Sequence, residues 1–401
     1  MARVARKRLY IAPETAYAQS PRPADSAYLS LVPSETLDGS GGKQGIESAR
    51  FTGRTGPTRQ IPGAGLGALT WGMEMLGLAT QAGAGVSPVA QDWWDLVMRG
   101  IFNASPIERD GVAVVSHVGT ALDLGAANDL YDVGDLICLV DAAGEVRWAR
   151  IATDNADGSY VLSYAPQVGP AGSLTNMVAT VARGSRVWRD EDGRDTSITL
   201  AGLFDQDQTF WRECPGIRVN AASFEVTPNA LALWSIGAQS DDFIPMDGNG
   251  GRPSAPSGLS DAVNGDPAVT ATTPLIAARV YLDGVPLTES ATISGDLGIS
   301  PLERPDTGNL QGRSNVKQLE QVPVITVTSP YSDDLAVLHR SRGSRELMLE
   351  LGTGGDSVAI NIPVAQPIEH GPADTNGELD ATVQFRATTE GTFPRVQLGR
   401  S

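Results

Sequence analysis

The chain has 401 residues, a length that is typical of two or three domains of ~150 residues. Of these residues 41% are hydrophobic, so the chain can form a substantial core. Its net charge of −17 argues against a protein that grips nucleic acid, because affinity for phosphates requires Lys and Arg. The charge does not exclude a protein past which nucleic acid slides. The 45 glycines and 26 prolines indicate many short elements and turns, and therefore a mainly β fold.

The cysteine pattern and the apolar runs indicate the cellular compartment in which the protein is expected. Cys138 and Cys214 lie in separate apolar segments, which predicts two buried thiols and no disulfide framework, as in a reducing cytoplasm. The sequence contains neither a signal-peptide pattern nor an apolar run long enough to cross a membrane. We therefore expect a protein that is not secreted and that has no membrane partner.

The N-terminal third begins with a basic arm and a polar excursion. The arm carries Arg3, Arg6, Lys7 and Arg8. Residues 36–63 have Gly-rich ends and a polar, charged middle, so they can form a long two-stranded excursion but cannot bury a core of their own. Two interpretations stay open for this stretch: a surface loop, or an arm that becomes ordered on a partner.

Two helices are predicted next. Leu66, Leu69, Met73 and Leu76 recur at helical spacing, which predicts the first. Ser87-Pro88 provides an N-cap and a first-turn proline for the second, whose apolar stripe ends near Gly100.

A small β unit is predicted as an insertion at residues 109–186. Three strands, at residues 136–140, 145–152 and 159–164, are separated by turns. Three or more strands that close on each other make a small barrel or sandwich. The surrounding residues 1–108 and 187–401 are predicted to form one discontinuous main domain.

The central stretch of the chain, residues 193–237, predicts paired strands. Ile217 and Val219 share one face, and then Phe224 and Val226 take it over, so the phase of the alternation changes and predicts a bulge. Residues 231–236 are apolar on both faces, as in a covered central strand. Residues 238–273 lose all periodicity and are predicted to be an exposed flexible loop.

The C-terminal third shows a hairpin at Asp283-Gly284, a strand at residues 322–328, and a helix capped by Ser329-Pro330 and ended by Gly343. A second hairpin joins residues 345–351 to 357–362. The final predicted strand alternates regularly: its odd-numbered residues 379–387 face inward and the even-numbered ones face out. No internal repeat is evident in the sequence.

The chain carries no catalytic or metal-binding constellation that we recognise. His117, His339 and His370 are the only histidines, and their spacing fits no metal site. Asp247 and Asn249 resemble the start of a calcium loop that then fails at its fifth and twelfth positions. The acidic residues Asp190, Glu191, Asp192 and Asp195 read as a solvated turn. We expect no enzymatic activity, no cofactor and no metal.

The order of elements resembles the major tail tube proteins of long-tailed, siphovirus-like bacteriophages. The carrying stretches are IAPETAYA near the N-terminus, the excursion at 36–63, WWDLVMRGIF, PGIRVNAASFEVTPNALALWSIGAQ, ARVYLDGVPL and the C-terminal hairpin and strand. The resemblance covers most of the chain outside 109–186. It implies a mainly β, tail-tube-type β-sandwich or barrel with one or two flanking helices, to which this chain adds the inserted small β domain.

The resemblance also implies function, partners and location. Such subunits form rings, usually hexamers, that stack into a tube through which DNA passes from virion to host without specific binding. The insertion at 109–186 also leaves open a trimeric ring of doubled subunits, although no clear internal repeat in the sequence supports it. The partners would be further copies of the chain and other tail proteins, such as the tape measure, tail terminator and distal tail proteins. The location would be the virion tail, assembled in the host cytoplasm.

Contact residues follow from the same resemblance. Residues 36–63 correspond to the loop that reaches the next ring, which makes the following residues inter-ring candidates: Lys43, Gln44, Ile46, Glu47, Arg50, Phe51, Arg54 and Arg59. The basic arm with Arg3, Arg6, Lys7 and Arg8 could lie on an acidic neighbour. Two alternatives stay open: a β-sandwich binding module such as an adhesin or carbohydrate binder, and another tail or head-to-tail connector protein.

Overall fold

The fold is mainly β, as predicted, with two helices in the described part of the chain. The computed structural model describes residues 7–14, 29–31, 38–47, 60–78, 85, 87, 93–126, 130–169, 173–190, 198–204, 211–227, 230–240, 278–287, 292–305, 313–330, 333–352, 356–375, 378–388 and 393–401.

The helices are α1 (Trp93–Phe102) and α2 (Asp333–Ser341). The strands in chain order are β1 (Lys7–Pro13), β2 (Leu29–Leu31), β3 (Asp38–Glu47), β4 (Gln60–Glu74), β5 (Ile107–Arg109), β6 (Val112–Ala113), β7 (Ser116–Val118), β8 (Ala121–Asp123), β9 (Leu136–Asp141), β10 (Val146–Asp154), β11 (Ser159–Leu162), β12 (Gln167–Val168), β13 (Thr175–Asn176), β14 (Ala179–Ala182), β15 (Ser185–Arg189), β16 (Ile198–Phe204), β17 (Trp211–Val226), β18 (Leu233–Ser240), β19 (Ala278–Leu282), β20 (Val285–Leu287), β21 (Thr292–Asp296), β22 (Ile299–Pro305), β23 (Arg313–Gln321), β24 (Val324–Pro330), β25 (Arg345–Leu351), β26 (Val358–Thr375), β27 (Glu378–Ala387) and β28 (Gln397–Arg400).

One large antiparallel sheet borders the main core. Seventeen of the described strands belong to it, and α1 packs against its core side, with nine of its ten residues buried. The helix is fixed there by Asp95, which accepts hydrogen bonds from Arg186 of β15 and Arg400 of β28, each at 2.6 Å. Because a buried carboxylate requires compensating charge, this pair of guanidinium groups ties α1 to two strands at once.

Residues 112–182 carry a second sheet that closes on itself. Its order is β6–β14–β9–β10–β11–β8–β7, and β6 leads directly into β7. One side of this continuous segment pairs with β14 and the other side with β8. The three strands predicted here are β9, β10 and β11, which pair in sequence as expected. We call this unit the small barrel; its entry and exit strands, β5 and β15, pair with each other.

The small barrel is docked on the large sheet through a buried interface. Trp148 of β10 lies at its centre: its backbone amide donates to Glu350 at 2.7 Å and its indole N–H donates to Ser357 at 2.9 Å. Arg150 binds Glu346 through two nitrogen atoms, at 3.2 and 2.9 Å. These contacts join β10 of the barrel to β25 and to the residue before β26.

The carboxyl group of Glu350 gives this interface a pH dependence that we predict from its burial. Desolvation raises the pKa of Glu350 to about 7, and the nearby Arg147 only partly offsets it. The unfolded chain loses this proton near the ordinary pKa of 4.5, so folded stability falls as pH rises from about 4.5 to about 7. Each factor of ten in proton affinity corresponds to about 1.4 kcal/mol, so the loss is on the order of 3 kcal/mol.

Glu350→Gln tests this directly, because glutamine keeps an acceptor for the Trp148 amide. We expect the free energy of unfolding in urea to fall between pH 4.5 and pH 7.5 by on the order of 3 kcal/mol more in the wild type than in the variant. Glu369→Gln, which alters an exposed carboxylate on β26, serves as the matched control and should follow the wild type. Parallel pH profiles for wild type and Glu350→Gln would contradict the prediction.

The large sheet contains the same arrangement of elements twice. The first repeat is β1, β2, β3, β4, α1, β16, β17 and β18; the second is β19, β20, β21, β24, α2, β25, β26 and β27. In the first, β3, β4, β18 and β17 lie side by side; in the second, β21, β24, β27 and β26 lie in the same order. In the chain, α1 follows β4 and α2 follows β24, which occupy the same position in their sets of four strands. The two sets meet where β17 pairs with β21.

The register of the two repeats also agrees, including its irregularities. Strand β17 has a bulge after Val219 opposite β18, and β26 has one after Pro367 at the same place opposite β27. The β16–β17 and β25–β26 pairs share a second bulge, after Ile198 and after Arg345. Two independent bulges at matching positions indicate a duplicated unit rather than a chance likeness of strand order.

Several expectations are corrected by this fold. Residues 66–76, predicted as a helix, lie mostly in β4, because this segment pairs with β3 on one side and β18 on the other. Helix α1 continues past Gly100 to Phe102, and Asn103 then adopts a left-handed φ of 53°. Ser329-Pro330 ends β24 instead of capping a helix. The left-handed residue after α2 is Arg342 (φ 52°), not Gly343.

Other differences concern strand faces and ends. The predicted bulge in β17 is confirmed. Strand β18 is central, but only one of its faces is covered, since Ser235 is exposed. The inward and outward alternation of β27 is confirmed from Ala381 to Ala387, whereas Asp380 is buried instead of exposed. Strand β28 was not predicted. Residues 238–240 of the predicted loop belong to β18, and residues 241–273 lie outside the described part.

Candidate functional surface

The outer face of eight adjacent strands forms a concave surface. In order these strands are β3, β4, β18, β17, β21, β24, β27 and the C-terminal half of β26. A depression of about 620 Å³ is lined mainly by residues of one face of six of these strands, which shows that the face is concave. We call it the concave face, and its described residues include Thr70, Ser223, Glu225, Ser235, Ser294, Asp296, Thr326, Thr328, Thr382, Gln384 and Arg386.

Hydroxyl groups form rows across this face because cross-strand partners share one side of a sheet. Ser223 lies opposite Ser235 on one neighbour and Asp296 on the other, and Ser294 lies opposite Thr326. Many side chains of the surface are therefore short and polar. Side chains of this kind offer hydrogen bonds to water.

The charge on the concave face is acidic. By strand register its described carboxylates include Glu74, Glu225, Asp296 and Glu369, and its guanidinium groups are those of Arg386 and the buried Arg218. A surface of this sign repels phosphate groups.

Aromatic side chains do not project from this face in the described residues. Phe224 and Trp234, next to the depression, turn their rings into the core and are at most 3% exposed. Trp188 is fully buried against Trp94. The side chain of Trp211 lies outside the described part.

The eight-stranded set ends in β3 and in residues 366–375 of β26, and in the described part of the chain no further strand pairs with either edge. On the β3 side, Met75 just after β4 donates to Ala232 at 2.9 Å, which fixes the alternation of β4. The backbone N–H and C=O of Thr70 therefore form hydrogen bonds with β3, where their partner is Asp38. The N–H and C=O of the next residue, Gly39, point to the open edge. No described strand pairs with that edge.

The β26 edge is defined in the same way. Ala387 of β27 donates to Pro323 at 2.9 Å, so the alternate residue Thr382 bonds toward β26. Its partner Gly371 bonds back to Thr382, and the backbone of Pro372 faces the open edge. Exposed strand edges of this length are sites where another strand can add.

Two long ribbons extend from the sheet. In the first ribbon, β3 pairs with β4, but β18 supports only the part of β4 from Gly67 to Glu74. In the second ribbon, β21–β22 pairs with β23–β24 in one nearly continuous register, from Thr292↔Thr328 to Pro305↔Arg313. Its distal strands β22 and β23 pair with no other strand in the described residues. The sequence had not predicted the second ribbon.

The residues predicted as inter-ring contacts fall on the first ribbon where they are described. Lys43, Gln44, Ile46 and Glu47 belong to β3 near or beyond the part that β18 supports. Arg50, Phe51, Arg54 and Arg59 lie outside the described residues, as do Arg3 and Arg6 of the arm. Lys7 and Arg8 are not in a free arm: they begin β1, opposite Phe204 and Leu203 of β16.

The histidines and cysteines form no metal cluster among the described residues. His117 is buried in the small barrel and its Nδ1 accepts from the Ala179 amide at 3.1 Å. Cys138 is buried as predicted, and burial raises the pKa of its thiol to about 11. The described part of Cys214 is limited to its backbone, and Asp247 and Asn249 lie outside the described residues.

No described helix is long and apolar enough to cross a membrane. Comparison of the chain with protein-family models and with curated proteins found no match.

Proposed function

We propose that the protein is a structural subunit of a bacteriophage tail tube, which assembles with further copies of itself into stacked rings around a channel for DNA. The observation that carries the proposal is the concave, acidic, hydroxyl-rich sheet with an open strand edge at each end. Closing such a sheet across subunits removes both edges, which otherwise invite uncontrolled strand addition.

The concave face supports a channel wall better than a binding site. DNA that moves along a channel requires a wall that does not hold phosphates, and four carboxylates against Arg386 and the buried Arg218 satisfy this condition. Short Ser and Thr side chains keep a water layer without a specific contact. A carbohydrate-binding sheet would be expected to present aromatic rings for stacking, and the described residues of this face present none.

The ribbons support the stacking of rings. The stretch 38–63 contains Lys43, Arg50, Arg54 and Arg59 against two carboxylates, so it is positively charged in a chain of net charge −17. A positive projection on an acidic subunit is electrostatically complementary to a second copy of the same chain.

Negative-stain electron microscopy of the purified, concentrated protein tests the proposal. We expect rings with a central hole or hollow tubes, whose symmetry can be counted in end views. Single rings that never stack at any concentration would favour a head-to-tail connector instead. Monomers that bind glycans on an array would overturn the proposal in favour of a binding module.

A further inference from the structure

We propose that neighbouring subunits join by repeating the internal β17–β21 joint, with the free edge of β26 from one chain pairing antiparallel with the free edge of β3 from a second copy. The partner is thus this chain itself. Strand register is the evidence for this joint. Only the number of repeats in a ring rests on the proposed function.

The duplication supplies the geometry. Strand β26 holds in the second repeat the place that β17 holds in the first, and β3 holds the place of β21. Inside the chain, the β17 position is joined to the β21 position of the next repeat. The same two surfaces are therefore available, in the same order, at the two ends of the chain's eight-stranded set.

The internal register predicts the register between chains. Within the chain, Ser223 lies opposite Asp296 and Phe224 lies opposite Gly295. By the matching registers, Gly371 and Pro372 of β26 are equivalent to Ser223 and Phe224 of β17, and Ser40 and Gly39 of β3 are equivalent to Asp296 and Gly295 of β21. The joint between chains therefore places Gly371 opposite Ser40, and Pro372 opposite Gly39. The backbone directions agree, since Pro372 and Gly39 are the residues that turn their polar groups to the open edges.

Burial supports the same joint. At the internal joint Phe224 is 3% exposed, whereas Pro372, in the equivalent place on the free edge, is exposed. An added β3 strand with its repeat would cover that position as β21 covers Phe224. Pro372 also lacks an N–H, so the joint between chains has one hydrogen bond fewer than the internal one, which limits indiscriminate strand addition at this edge.

The consequence for the assembly is a head-to-tail ring in which each chain supplies two repeats. Such a heterologous contact closes into a ring when the rotation from one repeat to the next closes. If a ring contains six repeats, the number that a hexamer of single-repeat subunits would have, it contains three chains of this protein instead of six.

Disulfide trapping tests the joint. The variant Ser40→Cys/Gly371→Cys places two thiols in a predicted non-hydrogen-bonded pair, where Cα atoms are about 4.5 Å apart. A Cβ added at Gly371 meets no atom within 4 Å, so the change is compatible with the fold. Ser223→Cys/Asp296→Cys is the matched control at the internal joint and should form the same bond within one chain.

We expect mild oxidation to convert Ser40→Cys/Gly371→Cys into covalent multimers that end in a closed ring on non-reducing gels. The slipped pair Gly41→Cys/Gly371→Cys, with thiols on opposite faces, should give none. Asp38→Cys/Ala373→Cys is a second in-register pair in case the first variant folds poorly.

Absence of covalent multimers from both in-register pairs at the highest concentration, or equal trapping by the slipped pair, would overturn the proposed joint. The outcome separates the joint from the function. Tubes in micrographs without in-register trapping would leave the tube assignment standing and remove the joint. Trapped rings that never stack would keep the joint and remove the tube.

Discussion

Replacing residues 44–64 by an Asn-Gly turn is expected to abolish tube formation while leaving soluble subunits or rings. Lys43 pairs with Gly65, so a two-residue turn can close the shortened hairpin without changing the part of β4 that β18 supports. The change removes most of the positive charge of the first ribbon, and with it the contact that we assign to the next ring. Sedimentation and electron microscopy measure the loss of tubes.

The second ribbon provides the comparison. Replacing residues 301–319 by the same turn, between Ser300 and Glu320, shortens it to a similar degree. If the two repeats are equivalent in the assembly, this variant also loses tubes. Normal tubes from the first-ribbon variant, with unchanged length, would contradict the assignment of inter-ring contact to residues 36–63.

Local features of the fold were predicted well where a short stretch of sequence determines them. The bulge in β17 follows from the change of apolar phase between Val219 and Phe224, which a regular strand cannot accommodate. The turn at Asp283-Gly284 follows from the residues themselves, which take φ values of 47° and 78°. In both cases neighbouring residues carry the whole signal.

The helix predicted at residues 66–76 shows where local periodicity is insufficient. Leu69 and Met73 fit a helical face, but Leu69, Trp71 and Met73 also fit the inward face of a strand, and all three are buried. Tertiary pairing decides between the two patterns: β3 and β18 flank this segment, and its glycines weaken a helix. Neither neighbour is visible within the segment's own sequence.

The duplication was missed because register, not residue identity, is what the two repeats share. The stretch Arg8 to Ile11 resembles Arg279 to Leu282, but most of the equivalent strands differ in sequence. Connections differ as well, since the first repeat carries the small barrel between α1 and β16 while only residues 342–344 separate α2 from β25.

The concave face could not be assembled from the sequence either. Its residues come from alternate positions of strands that are distant in the chain, such as Thr70, Ser223 and Thr382. Each strand shows short polar residues on its outer side, and this was the available signal. Sheet order, which only the fold supplies, turns those separate alternations into one continuous surface.

Gly39→Pro is expected to prevent ring closure and leave a folded monomer. The Gly39 amide points to the open edge of β3, so its loss breaks no hydrogen bond within the chain. In the proposed joint its partner is Pro372, which has no N–H. With proline on both sides, this pair would have no hydrogen bond at all, and the ring of one proline would approach the other strand.

Size-exclusion chromatography with light scattering measures the result, with circular dichroism and urea unfolding to establish that the fold is kept. Gly39→Ala is the control, since it retains the amide and should assemble as the wild type does. Ser40→Pro is a contrasting variant, because the Ser40 amide faces β4 and its loss should lower the free energy of unfolding instead. Rings of normal size from Gly39→Pro would show that β3 is not the edge at which subunits meet, whatever the role of the ribbons.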